Sequence, residues 1–256
     1  MKILFVVTTF NQSKYTKLFF DSFFKTHDLD IDVIVIDDCS SDDTVSWCKQ
    51  NNIKVIEKES GKGLTHSWNL GYQYFKEHAE YDILIISGND ILIPIGSLNE
   101  LKRCHEKWNS VCIVPLTTTK GCGHNPVQDI SKYYNDVDQS YECVDDIQTR
   151  ILDYYNSHEM HNRKFLFDPF RMLMFNGFFF SLKRKIIEYE RPDGLLFDPK
   201  HLNFKNEDEF NWSILIPNNE YPMLCKTSYV YHFKGVSFAH ITDPTTNDFE
   251  NFIKNR

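Results

Sequence analysis

Short apolar runs alternate with amphipathic stretches along the first 115 residues. Residues 3–8 (ILFVVT), 33–36 (VIVI), 53–56 (IKVI), 83–86 (ILII) and 111–114 (VCIV) read as buried strands. Helical spacing fills the gaps between them. It covers 15–24 (YTKLFFDSFF), 44–51, the face made by Leu64, Trp68, Tyr72 and Phe75, and 98–108. Strands separated by helices of this length predict βαβ units and an α/β fold with a mainly parallel central sheet flanked by helices. Right-handed crossovers then bring the loops that follow the strands to one common rim.

The regularity ends at Pro115. Residues 117–165 are polar and rich in Asn, Asp and Tyr, with a helix predicted over 144–155. Apolar character returns over 165–182, a loop follows over 192–203, and a helix is predicted over 207–215. No repeat or low-complexity linker interrupts the chain. The pattern therefore predicts one domain in two halves, 1–115 and 116–243, with a loose tail over 244–256.

Composition narrows the function classes. The 256 residues carry a formal charge of −8, which argues against a general nucleic-acid binder. Seven scattered cysteines form no CxxC pair, which speaks against a zinc site and for a reduced, cytoplasmic protein. No signal-peptide pattern and no transmembrane-length apolar stretch is expected.

Candidate chemistry gathers where strands end or helices begin. The second strand runs into Asp37 and Asp38 within IDVIVIDDCSSDDT. Charges at the carboxyl end of a parallel strand cost stability unless they serve a ligand or have partners. Asp42 and Asp43 read as caps of the next helix. Thr9 and Asn11, after the first strand, face these acids and offer groups for a nucleobase edge, although Asn11 also suits a helix cap. Gly61-Lys62-Gly63 before a helix reads either as a plain turn or as an anion cradle. Ser87-Gly88-Asn89-Asp90 puts one carboxylate after the fourth strand, where oxygen ligands suit Mg2+ or Mn2+. Glu207-Asp208-Glu209 opens a helix, as acids favoured by its dipole or as a general base. His158 and His161 lack the HExxH pattern and read as a solvated helix face. Tyr133, Tyr134, Phe170, Phe175 and Trp212 suit either the core or sugar stacking.

Taken in order, these clusters resemble the family 2 glycosyltransferases, inverting enzymes with the GT-A fold. The matching features are Thr8–Asn11, the DDxSxD of Asp37 to Asp42, and Gly61 or Gly63 with Asn69 and Gly71. They continue with Ser87–Asp90, Asn176-Gly177-Phe178 through Lys183-Arg184, the pair Glu207-Asp208, and an H-x-x-G-x-S pattern from His232 to Ser237. The resemblance implies a nucleotide-sugar-binding half at 1–115 and an acceptor-side, catalytic-base half at 116–243. It implies transfer of a sugar from a nucleoside-diphosphate donor, UDP or dTDP favoured, to a hydroxyl of a glycan, glycoprotein or lipid-linked saccharide.

The implied roles follow the motifs. Asp208 is the base, with Glu207 in reserve. Thr9, Asn11, Asp37, Asp38, Lys62, Asn69 and Asn89 hold the nucleotide sugar. Gly177 and Trp212 serve the acceptor, and Asp90 with His232 holds a divalent cation, Mn2+ or Mg2+. One departure stands out: a strict D-x-D is absent, and only Asp90 supplies a carboxylate. A non-catalytic sugar-nucleotide or glycan-binding module, and then a sugar nucleotidyltransferase, are the alternatives. The latter usually opens with a glycine-rich loop, and residues 8–14 contain no glycine.

Overall fold

The computed structural model describes residues 1–26, 29–121, 126–134, 137–157, 170–171, 175–199, 220 and 222–233. The predicted alternation appears in order as β1 (Ile3–Thr9), α1 (Ser13–Phe23), β2 (Ile31–Asp37), α2 (Thr44–Gln50), β3 (Lys54–Glu57), α3 (Leu64–Glu77) and β4 (Ile83–Gly88). Then come β5 (Ile91–Leu92), α4 (Ser97–Lys107), β6 (Cys112–Leu116), α5 (Val144–Ser157), β7 (Phe170–Arg171), β8 (Phe179–Lys183), β9 (Met223–Tyr229) and β10 (Tyr231–His232). The helix predicted over 207–215, the tail over 244–256, and His158 and His161 lie outside the described residues.

The main sheet has the order β3-β2-β1-β4-β8-β6-β9-β7, with β8 and β7 antiparallel to the rest. A sheet buried on both faces selects strands that are apolar throughout, and all seven residues of β1 are buried. Its side chains alternate between two cores. Leu4 and Val6 face α3, packing with Trp68, Tyr72 and Phe75. Ile3, Phe5 and Val7 face α1 and α4, packing with Phe19, Phe20, Phe23, Leu98 and Leu101. Each such side chain contributes about 1.5–3 kcal/mol by leaving water. Helix α3 lies so close to β1 that a Cβ at Gly71 would come 2.7 Å from Val6 Cγ1. Glycine is required there by space.

Two features go beyond the sequence-based reading. Strand β8 enters antiparallel between β4 and β6, so the fifth predicted strand is not β4's neighbour. Short β5 pairs antiparallel with β10, placing His232 opposite Ile91. That second, two-stranded sheet begins just past the end of β4. Among the described residues no helix is long and apolar enough to cross a membrane. The core also absorbs Tyr134 and Phe175, two of the aromatic residues considered for sugar stacking.

Candidate active site

Strands β1, β2 and β4 end side by side, with Thr9 in register with Asp37 and Thr8 in register with Gly88. Their following loops form the crevice rim expected of a parallel sheet. Backbone strain concentrates there. Asn11 and Gln12 after β1, and Cys39 after β2, have φ of 56°, 63° and 67°. Left-handed backbone at non-glycine residues persists only where surrounding contacts fix it.

Those contacts come from the acids. Asp37 is 1% exposed and both of its oxygens are engaged. Oδ1 accepts from the Thr9 hydroxyl at 2.9 Å and the Ser40 hydroxyl at 2.5 Å, while Oδ2 accepts from the Ser40 amide at 2.8 Å. Asn11 ties the same two loops together: its amide donates to Ser40 Oγ at 2.7 Å and its Oδ1 accepts from the Ser41 amide at 2.8 Å. Asp42 accepts from the amides of Ser13 and Thr44, at 2.9 and 3.0 Å, and so caps the starts of both α1 and α2.

Asp38 reaches the other way. It accepts from the amides of Lys62 and Gly63 at 2.8 and 2.9 Å and pairs with Lys58 Nζ at 2.5 Å. Lys58, with a side chain 3% exposed, also donates to Gly63 O at 3.1 Å and Ser67 Oγ at 3.0 Å. A buried ammonium is tolerated only with such partners. Lys58 was not among the sequence candidates, and its one signal is its place directly after β3. Lys62 itself is exposed on the turn. His66, one turn into α3, is held below the usual imidazole range by burial and by the nearby charges of Lys58 and Lys62. The start of α3 is thus an electropositive corner of the rim.

Two further candidates face inward. Asn69, 4% exposed, accepts from the amides of Leu196 and Phe197 at 3.2 and 3.0 Å and donates to Phe197 O at 2.9 Å. Asn89 donates to Thr16 Oγ1 at 3.0 Å and to Asn11 O at 3.4 Å. Both amides act inside the fold, locking a distant loop to α3 and the β4 turn to α1.

Asp90 and His232 differ. The β5–β10 pairing brings His232 Nε2 to 3.5 Å from Asp90 Oδ2, with side chains 12% and 11% exposed. His232 Nδ1 lies 2.9 Å from Gly121 O, and the imidazole stacks on Phe178 with ring centroids 4.3 Å apart. A carbonyl only accepts, so Nδ1 carries the proton. In the neutral imidazole Nε2 then presents a lone pair to a carboxylate, and two acceptors facing each other need a proton or a cation between them. An oxygen and an imidazole nitrogen converging from separate elements make a donor set suited to Mn2+. Among the described residues no group of three His, Cys, Asp or Glu could hold a metal, and Asp90 with His232 supplies two donors. Gly88 makes room for this carboxylate: a Cβ there would come 2.8 Å from Asp90 Oδ1.

Gly177 precedes Phe178, whose carbonyl accepts from the Gly88 amide at 3.0 Å, so this turn abuts the β4 end. Phe10 is 45% exposed on the same rim. Asp208, Glu207 and Trp212 lie outside the described residues.

The sequence model of Glycosyl transferase family 2 matches residues 4–189. No curated relative matches. Among solved structures, GalNAc-T7 with UDP, GalNAc and Mn2+ is similar with a TM-score of 0.61 at 17% identity, covering 91% of this chain and 44% of that one. TarS 1–349 from S. aureus gives 0.59 at 14% identity, covering 97% and 65%. TarS has also been solved with UDP and with UDP-GlcNAc. Mannosyltransferase PcManGT from Pyrobaculum calidifontis, in complex with GDP-Man and Mn2+, gives 0.54 at 15% identity, covering 90% and 56%. The present chain thus spans between 44% and 65% of the length of these structures.

Proposed function

The chain belongs to glycosyl transferase family 2, and from that premise we propose that it moves a sugar from a nucleoside-diphosphate donor to an acceptor hydroxyl, inverting the anomeric carbon. The observation that carries the reading is the convergence of Asp90 Oδ2 and His232 Nε2, at 3.5 Å, beside the ends of β1 and β4. The mainly parallel sheet agrees with the expected GT-A arrangement and with the fold of the similar structures. UDP is favoured as the carrier because two of those structures hold it, with dTDP second.

Residues 1–115 would bind the donor. The β1 and β2 loops, held by Asp37 and Asn11, present backbone groups and Thr9 to the base, and the exposed Phe10 ring offers it a stacking surface. Asp38 and Lys58 fix the Gly61–Gly63 turn so that Lys62 and the start of α3 face the anionic part of the donor. Asp90 and His232 would hold Mn2+ or Mg2+, which when bound stabilises charge on the departing diphosphate.

Residues 116–243 would take the acceptor, with Gly177 allowing close approach and Trp212 offering an aromatic face. The acceptor oxygen bonds to the anomeric carbon as that carbon's bond to the diphosphate oxygen breaks, and the electron pair leaves with the diphosphate. Asp208 takes the hydroxyl proton, with Glu207 in reserve. A glycan, glycoprotein or lipid-linked saccharide all present such a hydroxyl.

A panel of UDP-, dTDP- and GDP-sugars with Mn2+ tests the activity. Turnover of no donor would overturn it. In Asp208→Asn, transfer should fall by about 10²–10⁴-fold, the usual scale of general-base catalysis, with calorimetric UDP affinity unchanged. Normal transfer by that variant would remove the base from Asp208.

A further inference from the structure

The imidazole of His232 is held from three sides, and one contact comes from a segment no motif singles out. After β6 the chain continues through Thr117 and Thr118, both buried, to Gly121, whose carbonyl lies 2.9 Å from His232 Nδ1. Gly121 is itself buried, and its amide donates to Thr118 Oγ1 at 2.9 Å, which fixes the carbonyl's direction. Its φ is not in the left-handed region occupied by Gly63, Gly96 and Gly194. What glycine supplies at 121 is space. A Cβ there would come 2.7 Å from Thr118 Oγ1, 2.8 Å from Thr117 Oγ1 and 3.0 Å from His232 Cβ.

We propose that Gly121 is a positioning residue, which fixes the tautomer and orientation of His232 so that Nε2 is aimed at Asp90 and at a cation held between them. The proposal rests on the cation reading given above. A ring nitrogen hydrogen-bonded to a carbonyl is the usual outer support of a metal-binding imidazole, because it settles which nitrogen keeps its lone pair. The other two restraints do not do this. Phe178 stacking fixes the plane of the ring and the pairing of His232 with Ile91 fixes its backbone, yet neither distinguishes the two nitrogens. Among the described residues the Gly121 carbonyl is the acceptor that draws the proton to Nδ1, at 2.9 Å, against the Asp90 carboxylate 3.5 Å from Nε2.

The test has a readout independent of turnover. In 15N-histidine-labelled protein, with the His232 signal assigned by its loss in His232→Gln, the metal-free wild type should show the Nδ1–H tautomer. In Gly121→Ala that signature should be lost, and Mn2+ affinity in the presence of UDP, read by electron paramagnetic resonance of free Mn2+, should fall about 10–100-fold. Metal-free UDP affinity should be unchanged. An Nε2–H tautomer in the wild type overturns the proposal whether or not any variant folds. So does Mn2+ binding equally tight in Gly121→Ala. Wild-type protein with the Nδ1–H tautomer but no Mn2+ binding would sink the cation reading and leave the orienting contact standing. Thr118→Val, which removes the hydroxyl that orients Gly121, should weaken Mn2+ in the same direction by a smaller factor.

Discussion

The β1–β2–α3 rim and the Asp90–His232 corner both present carboxylates at the crevice, and they use them in opposite ways. On the rim Asp37, Asp38 and Asp42 accept from hydroxyls, backbone amides and a buried lysine, binding three loops into one piece. In the corner Asp90 Oδ2 faces His232 Nε2 at 3.5 Å, across a gap that a proton or a cation would fill. A carboxylate with satisfied oxygens stabilises the fold, and one facing an imidazole nitrogen can share a proton or a cation with it. Among the described residues, the paired acids after β2 therefore hold the fold together, and the lone acid after β4 is the one left facing an imidazole nitrogen.

The comparison breaks most visibly through paired substitutions. Asp90→Asn should lower metal-dependent transfer by about 10²–10³-fold, the scale of losing one preorganised electrostatic contact. Its metal-free stability should not fall, because the new amide can donate to His232 Nε2; chemical denaturation checks this. Lys58→Met should do the reverse. It leaves Asp38 without its cation in a buried site and should cost about 3 kcal/mol of stability, with less effect on Mn2+ affinity. A stable Lys58→Met protein would show that the rim is not held as described.

A third site, remote from both, sets the scale for pH. His105 is fully buried, with Nε2 at 2.7 Å from Ser181 Oγ, and burial pushes its pKa down to about 3, helped by Lys183. Its unfolded value is higher, so its contribution is fully present above about pH 6.5 and is lost as pH falls toward 3. Between those limits wild-type stability should drop by about 1.4 kcal/mol per pH unit more than that of His105→Gln. Equal slopes would show that His105 takes up its proton in the folded state. The smallest effect is expected at Cys39, whose φ of 67° suits glycine better. Cys39→Gly should raise stability by about 1 kcal/mol, measured by urea denaturation, and so sharpen the view that the rim carries strain.

Strands β1 and β4 were legible because burial on both faces forces continuous apolar runs, and β2 because its second half is buried. Strand β9 was not, since MLCKTSY hides its burial behind polar residues. Lys226, Thr227 and Ser228 are 3%, 1% and 1% exposed, with the Thr227 carbonyl bound by Gln148 and the Ser228 hydroxyl 2.9 Å from that of Ser97. In the site, Asp90 and His232 could be paired from their motifs. Lys58 and Gly121 could not, because each acts on a partner that only the folded chain brings near. Asn69 and Asn89 carried a motif signal whose structural use, closing loops inside the fold, is invisible in one dimension.

The central claim is that Asp90 and His232 hold a cation that grips the donor's diphosphate. The most direct test is the thermal stability of wild-type and Asp90→Asn protein with UDP, each with and without Mn2+. The account predicts a UDP-dependent rise in the wild type that is much larger with Mn2+, about 2.7 kcal/mol at a hundred times the dissociation constant, and no Mn2+ enhancement in Asp90→Asn. An equal rise without Mn2+, or an enhancement that survives in Asp90→Asn, would contradict it.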